Sequence, residues 1–149
     1  MDIRYVSGGE ELLDIIRDLW QELNNLHLEK SPHFRALYAQ NTFEARKNSL
    51  LAAAKKGSLL TALAYDGDLP VGYCIASLVE GTGEIESLFV LESYRKNGIA
   101  ARLMDEALKW LAQLNPTKTV VKVSVGNENA FGFYARYGFL PRLTELQKI

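Results

Sequence analysis

The chain has a single cysteine, Cys74, among 149 residues, which excludes an intrachain disulfide framework. No apolar run approaches the roughly 20 residues needed to span a bilayer. The opening residues Met1-Asp2-Ile3-Arg4 lack the apolar core of a secretory signal. Excess charge of one sign is missing too: the formal net charge is −1, which argues against a broad basic face for nucleic acid. Cys74 and the two histidines, His27 and His33, have no metal-ligand spacing. Neither Gly-x-x-x-x-Gly-Lys-Ser/Thr nor Gly-x-Gly-x-x-Gly after a strand occurs, so the nucleotide-binding loops are excluded. What remains is an ordinary globular balance, 48% apolar and 23% charged. Its length suits one domain over residues 1–149, expected in the cytoplasm without metal, membrane or nucleic-acid partners.

The pattern predicts elements in a regular order. Asp2 to Val6 suits a short strand. Leu12, Leu13, Ile16, Leu19, Trp20, Leu23 and Leu26 recur at three and four, predicting a helix from Glu10 to about His27–Lys30. A polar and aromatic connector, 31–41, precedes a second helix from Thr42 to Lys56, closed by Gly57. Strands follow over 58–65 and 70–80, joined by a tight turn at Asp66-Gly67-Asp68. Another runs from Glu84 to Leu91. A long helix covers Asn97 to Leu114, and a β-branched strand covers Thr119 to Val125. A helix from Glu128 to Tyr137 and one or two strands in 139–149 complete the chain. Trp20, Trp110 and Cys74 read as core residues. The order describes an α+β (mixed α/β) domain built on a mixed sheet.

Two stretches carry chemistry. The first is Tyr94-Arg95-Lys96-Asn97-Gly98-Ile99-Ala100, a basic, glycine-containing turn from strand to helix. The first N–H groups of a helix have no intrahelical partners, and the peptide dipoles there favour negative charge. Such a turn suits a phosphate or pyrophosphate. Gly98 lets the backbone approach closely, and Arg95 and Lys96 add positive charge. The second is Asn127-Glu128-Asn129-Ala130-Phe131-Gly132-Phe133-Tyr134-Ala135-Arg136-Tyr137-Gly138-Phe139.

The first stretch resembles the acyl-CoA signature of the GNAT superfamily of N-acyltransferases, Gln/Arg-x-x-Gly-x-Gly/Ala. The second is similar to that family's Asn-x-x-Ala-x-x-x-Tyr-x-x-x-Gly-Phe. Two motifs in the family's order are far more specific than either alone. They cover residues from about Glu84 to Phe139, whereas residues 1–80 match in element order only. Lys96-Asn97 departs from the glycine or second arginine that many relatives carry, and Asn97 is an acceptable helix N-cap.

The resemblance implies a GNAT-like fold: a mostly antiparallel sheet of six to seven strands, splayed at the acyl-CoA site and flanked by about four helices. It implies that acetyl-CoA lies between strands Glu84–Leu91 and Thr119–Val125, its pantetheine arm pairing with backbone at Phe89, Val90 and Leu91. Its pyrophosphate would meet the N–H groups of Lys96, Asn97, Gly98, Ile99 and Ala100, beside Arg95. Asn127 and Ala130 complete the cofactor positions, and the Val90 N–H is a candidate oxyanion donor. The implied activity is transfer of an acetyl group to a primary amine of a small molecule or peptide, by direct attack through a tetrahedral intermediate. The alternative is an acyl-CoA-binding sensor without turnover. Such domains frequently dimerise, which adds a homodimer.

An amine of pKa near 10 is mostly ammonium at pH 7 and needs a proton acceptor. Glu84 and Glu86, two apart on a strand, share a face and are the candidate bases. Tyr134 matches the family's general-acid position and is suited to protonate the departing thiolate. Each has a plainer reading: Tyr134 as core aromatic, Asn127 as N-cap, the glutamates as solvent-facing. His27 and His33 flank the connector that borders the acceptor pocket in the family. Glu22, Glu29, Glu80, Glu84 and Glu86 are candidates for an acidic rim that draws a cationic amine.

Overall fold

The computed structural model describes all residues, 1–149. Five strands form one sheet in the order β1 (Ile3–Gly8), β2 (Ser58–Asp66), β3 (Leu69–Val79), β4 (Thr82–Val90) and β5 (Lys118–Val121). The first four are antiparallel neighbours, and β5 joins β4 in parallel after the crossover helix α4 (Ile99–Gln113). Buried residues on both faces of β2 and β3 explain their nearly unbroken apolar sequences.

One face packs on α4, with Ile85, Val90, Ile99, Leu103, Met104 and Leu111 at its centre. The other receives the helices before the hairpins: α1 (Arg17–Lys30) and α3 (Phe43–Lys56). Leu13, Ile16, Trp20, Phe43, Leu50, Tyr73 and Phe89 meet there. Thr42 caps α3, its Oγ1 accepting from Ala45 N at 3.1 Å, a bond typically contributing about 1 kcal/mol. No helix is long and apolar enough to cross a membrane.

Several sequence expectations are corrected. The helix expected from Glu10 begins as a 3-10 stretch, Glu10–Ile16, since Gly9 offers no side chain to cap an α-helical start. The connector contains its own short helix, α2 (Arg35–Gln40), which makes five α-helices with α5 (Ala130–Ala135). α4 starts at Ile99 with Gly98 as its N-cap, not at Asn97, because Lys96 and Gly98 have φ of 65° and 76°. α5 is shorter than expected because single turns, Asn127–Ala130 and Glu128–Phe131, precede it. The sheet has five strands rather than six or seven. β5 stops at Val121, and residues 139–149 form no strand. Pro141 there has no N–H to give a ladder.

Candidate active site

β4 and β5 begin as partners and then part. Their ladder runs from Thr82 with Lys118 to Ile85 with Val121 and goes no further. At the same point β4 gains an extra residue against β3. Ile75 faces Ser87 while Ala76 faces Ile85, leaving Glu86 as the bulged residue. A bulge bends its strand and re-aims side chains. It also shifts the alternation: Ile85, Leu88 and Val90 all pack on the α4 face, although Ile85 and Leu88 are three apart.

This shift fixes what faces the opening. Leu91 N donates to Val71 O at 2.9 Å, so by the antiparallel alternation Val90 turns its own N–H and C=O away from β3, toward the gap. The Val90 carbonyl is already occupied, accepting from Arg95 Nε at 2.9 Å. Arg95 also lies over the Phe89 ring, 5.4 Å from its centroid. Part of its role is thus to hold the strand end against the loop.

The loop that follows matches a site for an anionic group. The N–H groups from Lys96 to Ala101 donate to nothing within the chain, and the first helical bond is Arg102 N to Gly98 O. Asn97 does not cap the helix; its side-chain amide donates to Tyr94 O and Arg95 O, both at 3.1 Å. The space a Cβ would occupy at Gly98 is open, and its φ of 76° suits glycine. Tyr94, just before the loop, donates its hydroxyl to Asp66 Oδ2 at 2.6 Å, tying the β2–β3 hairpin to the loop.

Across the gap, Tyr134 lies on α5 against the core beside β3 and α4. Phe133 and Phe139 hold its ring edge-on, with centroids 5.4 Å and 6.2 Å away. Burial, then the Cys74 sulfur, raises its pKa to about 12. Thr61 Oγ1 is the sealed side-chain polar atom without a partner, so the unbonded Tyr134 hydroxyl keeps access to solvent. Asn127 is not the cap of α5, a place taken by Asn129. It lies in the turn between β5 and α5, its carbonyl accepting from Ala130 N at 3.0 Å.

The two glutamates differ. Glu86 is clamped: Oε1 accepts from Arg46 Nη2 at 3.2 Å, Oε2 accepts from Ser77 Oγ at 2.6 Å, and Arg46 also donates to the Glu86 carbonyl. Glu84 has one cation, Lys122 Nζ at 3.7 Å, on a side chain 85% exposed. Its pKa is raised from the usual carboxylate value, first by burial and then by the neighbouring Glu86; Lys122 and Arg46 act against this. A half-buried carboxyl without a firm partner is suited to take a proton.

The wall opposite β4 is built from the first third of the chain. Tyr38 on α2 donates its hydroxyl to Ser124 Oγ at 2.7 Å, and its carbonyl accepts from Asn24 Nδ2 at 2.8 Å. A Cβ on Gly126, whose φ is 103°, would lie 2.3 Å from Lys30 O. The chain after β5 is therefore held to α1 and α2, away from β4. His27 stacks near Tyr38, with centroids 5.5 Å apart, and burial lowers its pKa. His33, Glu22, Glu29 and Glu80 are exposed and join no cluster with the strand glutamates.

Glu84, Glu86, Phe89 and Val90 thus lie along β4, which leads into the loop 95–100, whereas the Leu91 N–H is taken by Val71 and is not free for a pantetheine arm. Asn127 lies in the turn before α5, and Ala130 and Tyr134 lie on α5. Sequence reasoning missed Arg46, Ser77, Tyr38 and Ser124. Each carries an ordinary polar side chain whose partner lies far along the chain, and no local pattern signals that.

Comparison with known proteins agrees with this geometry. The model of the acetyltransferase (GNAT) family matches residues 13–139, and the chain belongs to that family. N-alpha-acetyltransferase 30 of Schizosaccharomyces pombe is 33% identical over 82 residues, 52% of this chain. The match spans about half, 55%, of that relative's length. A GCN5-related N-acetyltransferase from Ralstonia eutropha JMP134 has the same fold, with a TM-score of 0.78 at 18% identity over 99% of both chains. So does the aminoglycoside N-acetyltransferase AAC(6′)-Iy in complex with CoA, with a TM-score of 0.70 at 18% identity, over 99% of this chain and 95% of that one.

Proposed function

We propose that residues 1–149 act as one acetyltransferase domain that moves an acetyl group from acetyl-CoA to a primary amine by direct transfer. The observation that carries this reading is the parting of β4 from β5 beyond Ile85 and Val121, with the Val90 N–H turned into the gap. The free amides from Lys96 to Ala101 at one end of that gap fit a diphosphate, and the slot fits an extended pantetheine chain pairing with β4. The solved relative that holds CoA on the same fold supports the cofactor.

Bound acetyl-CoA supplies the acyl group and a thiolate leaving group. Glu84 accepts the proton of the incoming ammonium, directly or through water, because its carboxyl is half-buried and weakly paired. Glu86, held by Arg46 and Ser77, lies beside Glu84 and is not free to take this role. The Val90 N–H stabilises charge developing on the acyl oxygen. Tyr134, kept neutral by burial, delivers its proton to the thiolate and recovers one from the second proton that the nitrogen loses as the amide forms. The acceptor enters past α2 and Glu84, where the carboxylates favour a cation. The named relatives, an aminoglycoside acetyltransferase and an N-alpha-acetyltransferase, bracket the amine as small molecule or peptide terminus.

The test follows CoA thiol release with acetyl-CoA and a panel of polyamines, aminoglycosides, amino acids and peptides with free N-termini. Turnover with at least one amine is expected. Tight acetyl-CoA binding without turnover across the panel would replace the enzyme with an acyl-CoA sensor.

A further inference from the structure

Two lysines of this protein meet a carboxylate. Lys47 binds Asp14 at 2.7 Å, which ties α3 to the 3-10 stretch. Lys122 differs in its partner: its Nζ lies 3.7 Å from Glu84, the group that accepts a proton in the proposed reaction.

The placement of Lys122 follows from the parting of the strands. Val121 is the last residue of β5 to face β4, and it packs on the α4 side of the sheet. Lys122 comes next, so by alternation its side chain leaves from the other side, where it meets Glu84. Two residues on, Ser124 is bonded to Tyr38. The backbone under Lys122 is therefore held at both ends, while its side chain, 85% exposed, swings on a flexible four-carbon stem. An ion pair so long and so solvated contributes little, and the ammonium is readily given up. Glu84 thus faces a primary amine that belongs to the protein itself, and attachment to the backbone raises its effective concentration over that of a free acceptor.

We propose that Lys122 is itself an acceptor: with acetyl-CoA bound and no other amine present, the protein acetylates its own Lys122 within one molecule. This inference rests on the reading of the opening as an acetyltransferase site. The Lys122 ammonium gives one proton to Glu84, which passes it to water. The freed nitrogen bonds to the acyl carbon as the C–S bond breaks. The departing thiolate takes a proton from Tyr134, which regains one from the nitrogen. The products are Nε-acetyl-Lys122, CoA thiol and one proton. The amide carries no charge, so the modification removes the ammonium that occupies Glu84 and leaves that carboxylate to an outside amine.

The test incubates the protein alone with acetyl-CoA and follows its intact mass, with peptide mapping of the product and the amine panel run in parallel. A gain of one acetyl group at Lys122 is expected, with a first-order rate constant that is the same at every protein concentration. In Tyr134→Phe, or in Glu84→Gln should the first fail to fold, labelling should be at least about 100-fold slower. Turnover of an amine without label at Lys122 overturns this inference alone. Labelling as fast in the variant as in the parent is chemical acetylation of an exposed lysine, and a rate constant that scales with protein concentration is transfer between molecules; either result overturns it. Neither label nor turnover overturns the acetyltransferase reading, and this inference with it.

Discussion

β4 and β5 are two strands in one register that behave differently along their length. From Thr82 to Ile85 they are zipped, over a floor formed by Ile85, Leu111 and Ala107, all at most 2% exposed. From Glu86 onward they are apart. The zipped half is held by burial of apolar surface, which needs no particular chemistry. The parted half is held open by polar devices on both sides. On β4 these are the bulge at Glu86 and its clamp to Arg46 and Ser77; on the other side, the Tyr38–Ser124 bond and the contact of Gly126 with Lys30. One stretch is packed for stability and the next carries the proposed site, and the change occurs within two residues.

This division can be broken from either side. The largest effect is expected at Tyr134: in Tyr134→Phe, kcat should fall by about 10²–10⁴-fold, the usual contribution of a positioned acid. Its affinity for CoA, measured calorimetrically, should stay within about twofold, since the ring remains. Unchanged turnover would remove Tyr134 from the chemistry. Ile85→Ala should do the reverse, costing about 2–5 kcal/mol in urea unfolding through a buried cavity. Loss of CoA binding without loss of stability there would contradict the division.

The pH profile comes next. Glu84 must be ionised to accept a proton, so the rate should rise with pH through a pKa above the ordinary carboxylate value of 4.5. Lys122 lowers that pKa, so Lys122→Ala should move the acid limb to higher pH, modestly because the lysine is exposed. Movement to lower pH would assign the limb to another group. The smallest effect is expected for Tyr38→Phe, which loses one hydrogen bond of about 0.5–1.5 kcal/mol. That loss should raise KM for the amine more than it lowers kcat.

The same two regions were unequally legible in the sequence. The Arg95–Ala100 turn and the Asn127–Phe139 stretch could be read because their spacing is local: a strand, a glycine of positive φ, a helix. The helices and hairpins of the first half were visible in apolar periodicity. The bulge was not, because Ile85 to Leu91 reads as one continuous strand and nothing within it marks Glu86 as extra. The expectation that Glu84 and Glu86 share a face is met, since Arg46 reaches Glu86 from α3 on the face of Glu84 and Ser87. Their unequal surroundings depend on Arg46, forty positions away, which by itself reads as a solvated helix residue. The expected terminal strands failed for a related reason. Leu140 and Leu143 suit a strand, but strands also require a neighbour, and the chain supplies none there.

The bond between Tyr94 and Asp66 reaches beyond the opening it helps to build. The β2–β3 hairpin tip, with Gly67 exposed and open space where its Cβ would be, looks like a natural place to splice in an epitope or a fluorescent label. Because Asp66 steadies the basic turn from the far end of the sheet, an insertion there would loosen the grip on a nucleotide-like ligand without touching it. The hairpin is better regarded as a remote strut of the proposed ligand cradle than as spare surface.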